Sequence, residues 1–485
     1  MRKFAGAHPR RAVNLFPVWQ RRSVVLRFVL TLSGVGFALL GPAAMAQDFV
    51  AGDSQIDLRV DGQLYPAAIT LPLDNDPETV NFGSGSEPIT VCFEQAGKST
   101  CRTLQPDEPQ DFAVTYDDVT YTLALTYRGP QAVFDEAYRA EHRGTVRIEI
   151  PPVYELVNVA ISLTSYAAEN DGLAARSPYR EAVLARFADL RDHPFVAELD
   201  ARMREDGSAY HTLKMNGAAY DWTGDGIAAS PVYRSIGWAG NTLQPLEAAM
   251  RDFARQADWA AFLETNADFH DGQIAVLRNE VDIDGMLGWL AREFPAVKPY
   301  DSVRVIFSPL VGYNQSMASF EDGEFTELQA HVNFPWPLPD DPAFDADTQP
   351  FWQGLILFTE LNHGYINPTI EPLASAIGAA MPNPREWVLE QSVLDNYGNA
   401  EGVFTEMTNW ALFSLRAQDL LPAPEAKRVA AALDHIMVRK RGFSSYTEFQ
   451  RAFLALRAAQ TPGAPVAELI PAMVEHLARV GPTIK

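Results

Sequence analysis

The sequence contains very little cysteine: Cys92 and Cys101 are the only two in 485 residues. Their spacing suits neighbouring strands of a β-hairpin, predicted over residues 89–93 and 100–104 with a turn at 95–98. In an oxidising compartment a disulfide is the expected state, rather than two free thiols. Such a bond staples the hairpin together and implies no redox chemistry.

Motifs for phosphate binding and for serine hydrolysis are also missing. The chain has no Gly-rich phosphate loop and no Gly-x-Ser-x-Gly nucleophile elbow. It has no internal repeat and no long low-complexity tract. Its 47% share of apolar residues rules out a mainly disordered chain. The length allows two or three domains, or one large domain.

Positive charge is scarce, with 39 basic against 62 acidic residues. Seven of the basic residues and none of the acidic ones lie in residues 1–46, which leaves the remainder with a net charge near −30. A surface of this sign repels phosphate backbones and anionic lipids. Binding to nucleic acid or to a membrane surface is therefore disfavoured.

The apolar segment at residues 24–40 is too short for a comfortable membrane span, which needs about 20 apolar residues, and Arg27 interrupts it. A basic start precedes this segment, and Ala44-Met-Ala46 follows it. These features predict a secretory signal peptide over residues 1–46 that is cleaved after Ala46. The protein is then exported to the periplasm or the medium and has no membrane span after cleavage. The alternative is a retained membrane anchor.

Two patterns of hydrophobicity divide the rest of the chain. Up to about residue 150, short segments alternate apolar and polar side chains between turn clusters, which predicts strands. After Pro151-Pro152 the period is that of helices, and it returns to strands at residues 303–307 and 325–333. The predicted fold class is α+β, with a β-rich N-terminal module over residues 47–150 and a mostly helical domain with a short sheet over residues 151–485.

The apolar helix predicted over residues 351–365 contains unexpected polar groups. Thr359, Glu360 and His363 are three and four residues apart, so they lie close together on one helix surface. Burial without partners costs on the order of 2–7 kcal/mol for a neutral polar group and more for a charge. These side chains therefore need partners, although a Glu-x-x-His pattern alone arises easily by chance.

A second apolar helix, predicted around residues 403–413, supplies a partner. Glu406 is surrounded in sequence by large apolar side chains, and Asn409 and Trp410 lie near the same face. A carboxylate in such a setting must meet a base, a cluster of donors or a metal.

A Glu-x-x-His pair on one helix and a Glu on a later helix is similar to the pattern of zinc peptidases, where His-Glu-x-x-His places two ligands on one helix face. More specifically, the chain resembles the bacterial domain-of-unknown-function 4932 family, which is zincin-like and of the gluzincin type. The resemblance covers residues 151–413. The matching pieces are residues 152–158, 179–194, 305–310, 359–368 and 405–410.

The resemblance implies an exported, zincin-like metallopeptidase relative with zinc as its cofactor and a peptide or protein as its ligand. By position, Glu360 is the general base, His363 a metal ligand and Glu406 the distant carboxylate ligand. The metal-binding form of the family has His where this chain has Thr359. A hydroxyl is a poor zinc ligand, and a catalytic site normally uses three protein ligands and a water.

Three interpretations remain open. A metal still binds, with His331 or His211 as the replacement ligand. Alternatively, Glu360, His363 and Glu406 form a metal-free polar cluster in a non-catalytic extracytoplasmic protein, which binds a ligand through this cleft or through the β-rich module. In the third interpretation the cluster is only a satisfied structural network.

Overall fold

The structure is a computed structural model that describes residues 48–481 except 65–67, 74–76, 86, 171, 225, 313–314 and 335–347. The predicted signal peptide lies outside the described residues. These residues divide into two compact units, one ending at Gln131 and the other beginning at Ala132. No helix of the described residues is long and apolar enough to cross a membrane.

The first unit consists of two β-sheets. Its strands are β1 (Phe49–Val50), β2 (Gln55–Val60), β3 (Gln63–Leu64), β4 (Ile69–Thr70), β5 (Glu78–Ser84), β6 (Ile89–Gln95), β7 (Lys98–Leu104), β8 (Gln110–Tyr116) and β9 (Val119–Arg128). One sheet has the order β1-β8-β9-β5, and the other β3-β2-β6-β7 with β4 beside β2. The two sheets share one core, in which Phe93 stacks on Phe112 with ring centroids 3.9 Å apart.

The predicted disulfide is confirmed. Strands β6 and β7 pair in antiparallel register with Cys92 directly opposite Cys101, and the two residues are bonded. Along β6, Val91 and Phe93 are buried, so the alternating pattern places the apolar side chains in the core. The disulfide therefore ties together two strands that the hydrophobic pattern already pairs.

The second unit is mostly helical. Its elements are α1 (Glu136–His142), β10 (Thr145–Glu149), α2 (Pro152–Leu163), α3 (Ser165–Glu169), α4 (Pro178–Arg186), α5 (Pro194–Glu205), α6 (Ala209–Asn216), β11 (Tyr220–Thr223), β12 (Gly226–Ala229), α7 (Glu247–Gln256), α8 (Trp259–Glu280), α9 (Ile283–Glu293), β13 (Ser302–Ser308), β14 (Ser316–Glu321), β15 (Thr326–Asn333), α10 (Gln349–Gln353), α11 (Leu355–Ile370), α12 (Ala374–Ala380), α13 (Gln391–Tyr397), α14 (Ala400–Leu420), α15 (Ala423–His435), a π-helix (Ile436–Lys440), α16 (Tyr446–Ala459) and α17 (Leu469–Val480).

Short 3-10 turns connect several of these elements; they are Ala188–Leu190, Gly217–Ala219, Gln244–Leu246, Glu371–Leu373, Pro384–Trp387 and Val466–Glu468. The α+β fold class is confirmed. The division after Gln131 differs from the predicted boundary at residue 150 by α1 and β10. Strand β10 belongs to the second unit because it pairs with β13 along its whole length.

The sheet of the second unit has the order β10-β13-β15-β14, in which only the edge strand β14 is antiparallel to its neighbour. The central strand β15 is buried on both faces. Its apolar side chains, Leu328, Ala330 and Val332, belong to the main hydrophobic core. The alternate positions are polar. Helix α11 packs along β15 and β14, and α14 packs against α11.

Helix α11 lies very close to this sheet, because Gly364 has no side chain. A Cβ added at this glycine would come within 2.9 Å of Leu328 and 3.1 Å of Tyr300. The helix was predicted to end near residue 365 but continues to Ile370, through Pro368. Proline cannot donate to the carbonyl four residues earlier. Here the Tyr300 hydroxyl donates to the Gly364 carbonyl instead, at 3.0 Å.

Candidate functional site

Helix α11 carries Thr359, Glu360 and His363 within a span of five residues, and His363 contacts Asn409 and Glu406 on α14. Thr359 is buried, and its hydroxyl donates to the Ile356 carbonyl of the same helix at 2.8 Å. Glu360 and His363 are only partly buried. The two titratable groups of the pattern are therefore partly accessible to solvent, whereas the threonine is buried.

Helix α14 brings Glu406 to His363. The distance from His363 Nε2 to Glu406 Oε2 is 3.7 Å, and the side chains are 20% and 9% exposed. Burial of the Glu406 helix face follows from its apolar neighbours Val403, Phe404 and Met407, all of which are fully buried. The structure thus brings together the two residues that the resemblance implies as metal ligands.

Glu406 has two further partners. Trp410 Nε1 donates to Glu406 Oε1 at 2.8 Å, from one turn further along α14. The Arg441 guanidinium donates to the same oxygen through Nη2 and forms an ion pair with the carboxylate. The guanidinium carbon lies 4.7 Å from the centroid of the Trp410 ring. The carboxylate is consequently neutralised by a protein cation.

Arg441 was not predicted from the sequence. It directly follows the π-helix Ile436–Lys440, and its backbone N–H donates to the Ile436 carbonyl at 3.0 Å. Its Nη2 also donates to the Tyr397 hydroxyl at the end of α13. Sequence reasoning required a base, donors or a metal for Glu406, but nothing local to residue 406 indicates which of the chain's many arginines meets it.

The His363 ring is held from both sides by amides. Its Nδ1 lies 3.1 Å from Asn367 Oδ1, and Asn409 Nδ2 lies 3.0 Å from its Nε2. Asn409 Oδ1 accepts from Asn362 Nδ2 at 3.0 Å, which orients the Asn409 amide group toward the histidine as a donor. In this arrangement Nδ1 carries the proton and the Nε2 lone pair accepts a hydrogen bond.

Glu360 is the least satisfied of the polar groups. Among the described residues, its only hydrogen bond is a long one from the Thr359 hydroxyl, at 3.5 Å. Burial raises the pKa of the Glu360 carboxyl above its usual value, opposed by His363 and augmented by Glu406. The charges of Lys214 and Arg441 also oppose this rise. Glu360 is therefore an acceptor that the donors of the described residues leave largely unused.

Lys214, on α6, is a second residue that sequence reasoning missed. It is fully buried and lies 5.0 Å over the Tyr210 ring. Burial lowers the pKa of its amine to about 7, and the charge of Glu360 opposes that shift. The charge of each group thus affects the pKa of the other.

The two histidines considered as replacement ligands have other partners. His331 is fully buried on β15, with Nε2 3.2 Å from Gln329 Oε1, and burial lowers its pKa well below the usual value. His211 Nδ1 lies 2.7 Å from the Ser316 hydroxyl. In the described part of the chain, no group of three or more His, Cys, Asp or Glu side chains is arranged to hold a metal ion.

The donor set at this site does not fit a catalytic zinc ion as it is arranged. The Nε2 lone pair of His363 accepts from Asn409, and Oε1 of Glu406 accepts from Arg441 and Trp410. Thr359 is committed to the helix backbone. A catalytic zinc needs three protein ligands with free lone pairs. What the arrangement offers instead is a largely unused acceptor at Glu360 near an imidazole that is held by two amides.

Comparison with protein-family models, curated proteins and solved structures found no significant match.

Proposed function

We propose that this protein is an exported relative of zincin-like metallopeptidases that has lost its metal site and binds a peptide or protein ligand in the remaining cleft. The observation that carries the proposal is the pairing of Glu406 with Arg441, 3.7 Å from His363 on the facing helix. His363 and Glu406 lie close together, as the peptidase pattern requires, but Arg441 forms an ion pair with Glu406.

The sheet beside α11 supports a peptide as the ligand. Strand β14 is an edge strand in the described sheet, and α11 packs against it. Ser319 and Glu321 alternate along it as exposed side chains. An unpaired edge presents backbone donors and acceptors to which an extended peptide can add as a further strand. Export is supported by the predicted signal peptide and is consistent with the disulfide.

An active zinc peptidase is the second candidate, and Glu360 is the observation that favours it. Its carboxylate has few protein donors and a raised pKa, as a general base requires. In that case Glu406 must exchange Arg441 for a metal.

Metal content and proteolysis separate the two candidates. We expect mature protein, purified without chelators, to contain zinc only far below stoichiometry by elemental analysis. It should not cleave fluorescently labelled casein, with or without added zinc. A stoichiometric amount of zinc that is lost in Glu406→Gln, but kept in the matched variant Glu401→Gln on the same helix, would establish the peptidase instead.

Peptide binding is tested with a tryptic digest of casein passed over the immobilised mature protein. We expect the wild type to retain peptides. Glu360→Lys should retain fewer peptides, and Glu401→Lys should retain as many as the wild type. If the wild type retains no peptides, or if Glu360→Lys retains them equally well, the cleft is not the binding site.

A further inference from the structure

We propose that Arg441 supplies at Glu406 the positive charge that zinc would otherwise supply, so that guanidinium and zinc compete for this carboxylate and a zinc site forms only when Arg441 is removed and a histidine replaces Thr359. This inference depends on the proposed function, because it explains how a metal-free cleft keeps its two carboxylates.

The first argument is geometric. Glu406 Oε1 receives hydrogen bonds from both Arg441 Nη2 and Trp410 Nε1, while Oε2 faces His363. The Arg441 side chain is only 20% exposed and stacks on the Trp410 ring, which fixes its plane. Oε1 therefore already accepts two protein donors, and a metal bound between Oε2 and His363 Nε2 would share the carboxylate with the guanidinium.

The second argument is electrostatic. An arginine guanidinium keeps its charge at every pH that a folded protein tolerates. Zinc bound to Glu406 would place a dication next to this fixed cation in a partly buried site, where like charges repel strongly. Restoring the third ligand at residue 359 does not remove that repulsion. Two changes are needed to recover a metal site.

The backbone next to Arg441 has an unusual conformation. A π-helix is rare, and it occurs frequently at functional sites. Here it widens the last turn after α15, and Arg441 is the first residue beyond it. The Tyr397 hydroxyl accepts from the same guanidinium nitrogen that contacts Glu406. Three elements of the second unit thus converge on one side chain.

The positive field of Arg441 extends beyond Glu406. Arg441 interacts with both Glu360 and Glu406. Each carboxylate of the cleft therefore has a protein cation in its field, where the related zinc sites use the metal.

The test measures zinc affinity in four forms of the mature protein by competition with a chromophoric chelator. The variants are Thr359→His, Arg441→Met, the double variant Thr359→His/Arg441→Met, and the matched control Thr359→His/Arg439→Met. Arg439 lies on the same π-helix and is exposed. Only Thr359→His/Arg441→Met should gain affinity, by at least about tenfold over Thr359→His, the lower end of the effect of outer-shell partners on metal sites.

Cobalt substitution checks the coordination. The visible absorption of a tetrahedral Co²⁺ site should appear in Thr359→His/Arg441→Met and be lost when Glu406→Gln is added. Thr359→His/Arg441→Gln provides a milder version if the methionine variant does not fold, as judged by circular dichroism.

Either of two results overturns the inference: Thr359→His alone binds zinc as tightly as the double variants, or the folded double variants bind it no more tightly than Thr359→His. Stoichiometric zinc in the wild type is a separate result that would overturn the proposed function itself.

Discussion

Asn409 donates to His363 Nε2 at 3.0 Å, and through this contact α14 fixes the tautomer of a histidine on α11. The same amide accepts from Asn362, so its orientation is set by a second residue of α11. The imidazole nitrogen that a metal would bind is thereby given a proton donor. The site is held as a hydrogen-bonded network.

The first prediction concerns this tautomer. In ¹⁵N-histidine-labelled protein, long-range ¹H–¹⁵N spectra should show His363 protonated at Nδ1. Asn409→Ala removes the donor to Nε2, so the ring should shift toward the Nε2–H form. His435, which is exposed, serves as the internal reference. If His363 of the wild type is protonated at Nε2, the hydrogen bond from Asn409 to this nitrogen does not exist.

The second prediction concerns the Arg441–Glu406 ion pair. Arg441→Met leaves a mostly buried carboxylate without its cation. We expect a loss of about 3 kcal/mol in the free energy of unfolding at neutral pH, the lower end of the range for breaking a buried pair. Urea unfolding measures this loss. Arg439→Met should change stability by less than about 0.5 kcal/mol, as expected for an exposed position.

A double-mutant cycle isolates the pair. Adding Glu406→Gln to Arg441→Met should restore part of the lost stability, because no unpaired charge then remains. Strictly additive losses would show that the two side chains do not interact.

The third prediction is a pH dependence caused by Glu155. This carboxyl is fully buried on α2 and accepts from the Tyr179 hydroxyl at 2.8 Å. Burial raises its pKa from 4.5 to about 7, against the opposing hydrogen bonds from Ser308 and Tyr179. The folded state thus holds the proton more tightly than the unfolded state. Its contribution is fully present below pH 4.5 and is lost as the pH rises through 7.

The expected size of this loss is about 3 kcal/mol, at 1.36 kcal/mol per pKa unit. Urea unfolding at several pH values measures it. Glu155→Gln should flatten the decline between pH 4.5 and 7, whereas Glu181→Gln, at an exposed position on α4, should leave it unchanged. An equally steep decline in Glu155→Gln would assign the effect to another group.

The fourth prediction concerns the proline inside α11. Tyr300→Phe deprives the Gly364 carbonyl of its donor, because Pro368 cannot supply one. We expect a loss of about 1–3 kcal/mol, as for a partly buried acceptor left unpaired. In a Pro368→Ala background the new N–H can bond Gly364, so the same change should cost clearly less. If Tyr300→Phe lowers the free energy of unfolding equally with Pro368 and in the Pro368→Ala background, the Tyr300 hydroxyl does not replace the missing backbone donor.

The predicted elements that proved correct depend on local information. The hairpin pairing of Cys92 with Cys101 follows from two alternating segments and a turn. The proximity of Glu360 and His363 follows from the helical period alone. Glu406 could be predicted as their partner because a carboxylate among large apolar side chains needs a base, a cluster of donors or a metal. The continuation of α11 through Pro368 was missed, since its replacement donor, Tyr300, is remote in sequence.

The sequence by itself determined the α+β class, the disulfide and the two helices that face each other at the site, since all of these depend on hydrophobic period and residue spacing. Only the tertiary structure decided which cation neutralises Glu406 and which amide engages His363. Those contacts join distant segments, and their energy depends on burial and mutual orientation. Both exist only after α14 and the π-helix have packed around α11.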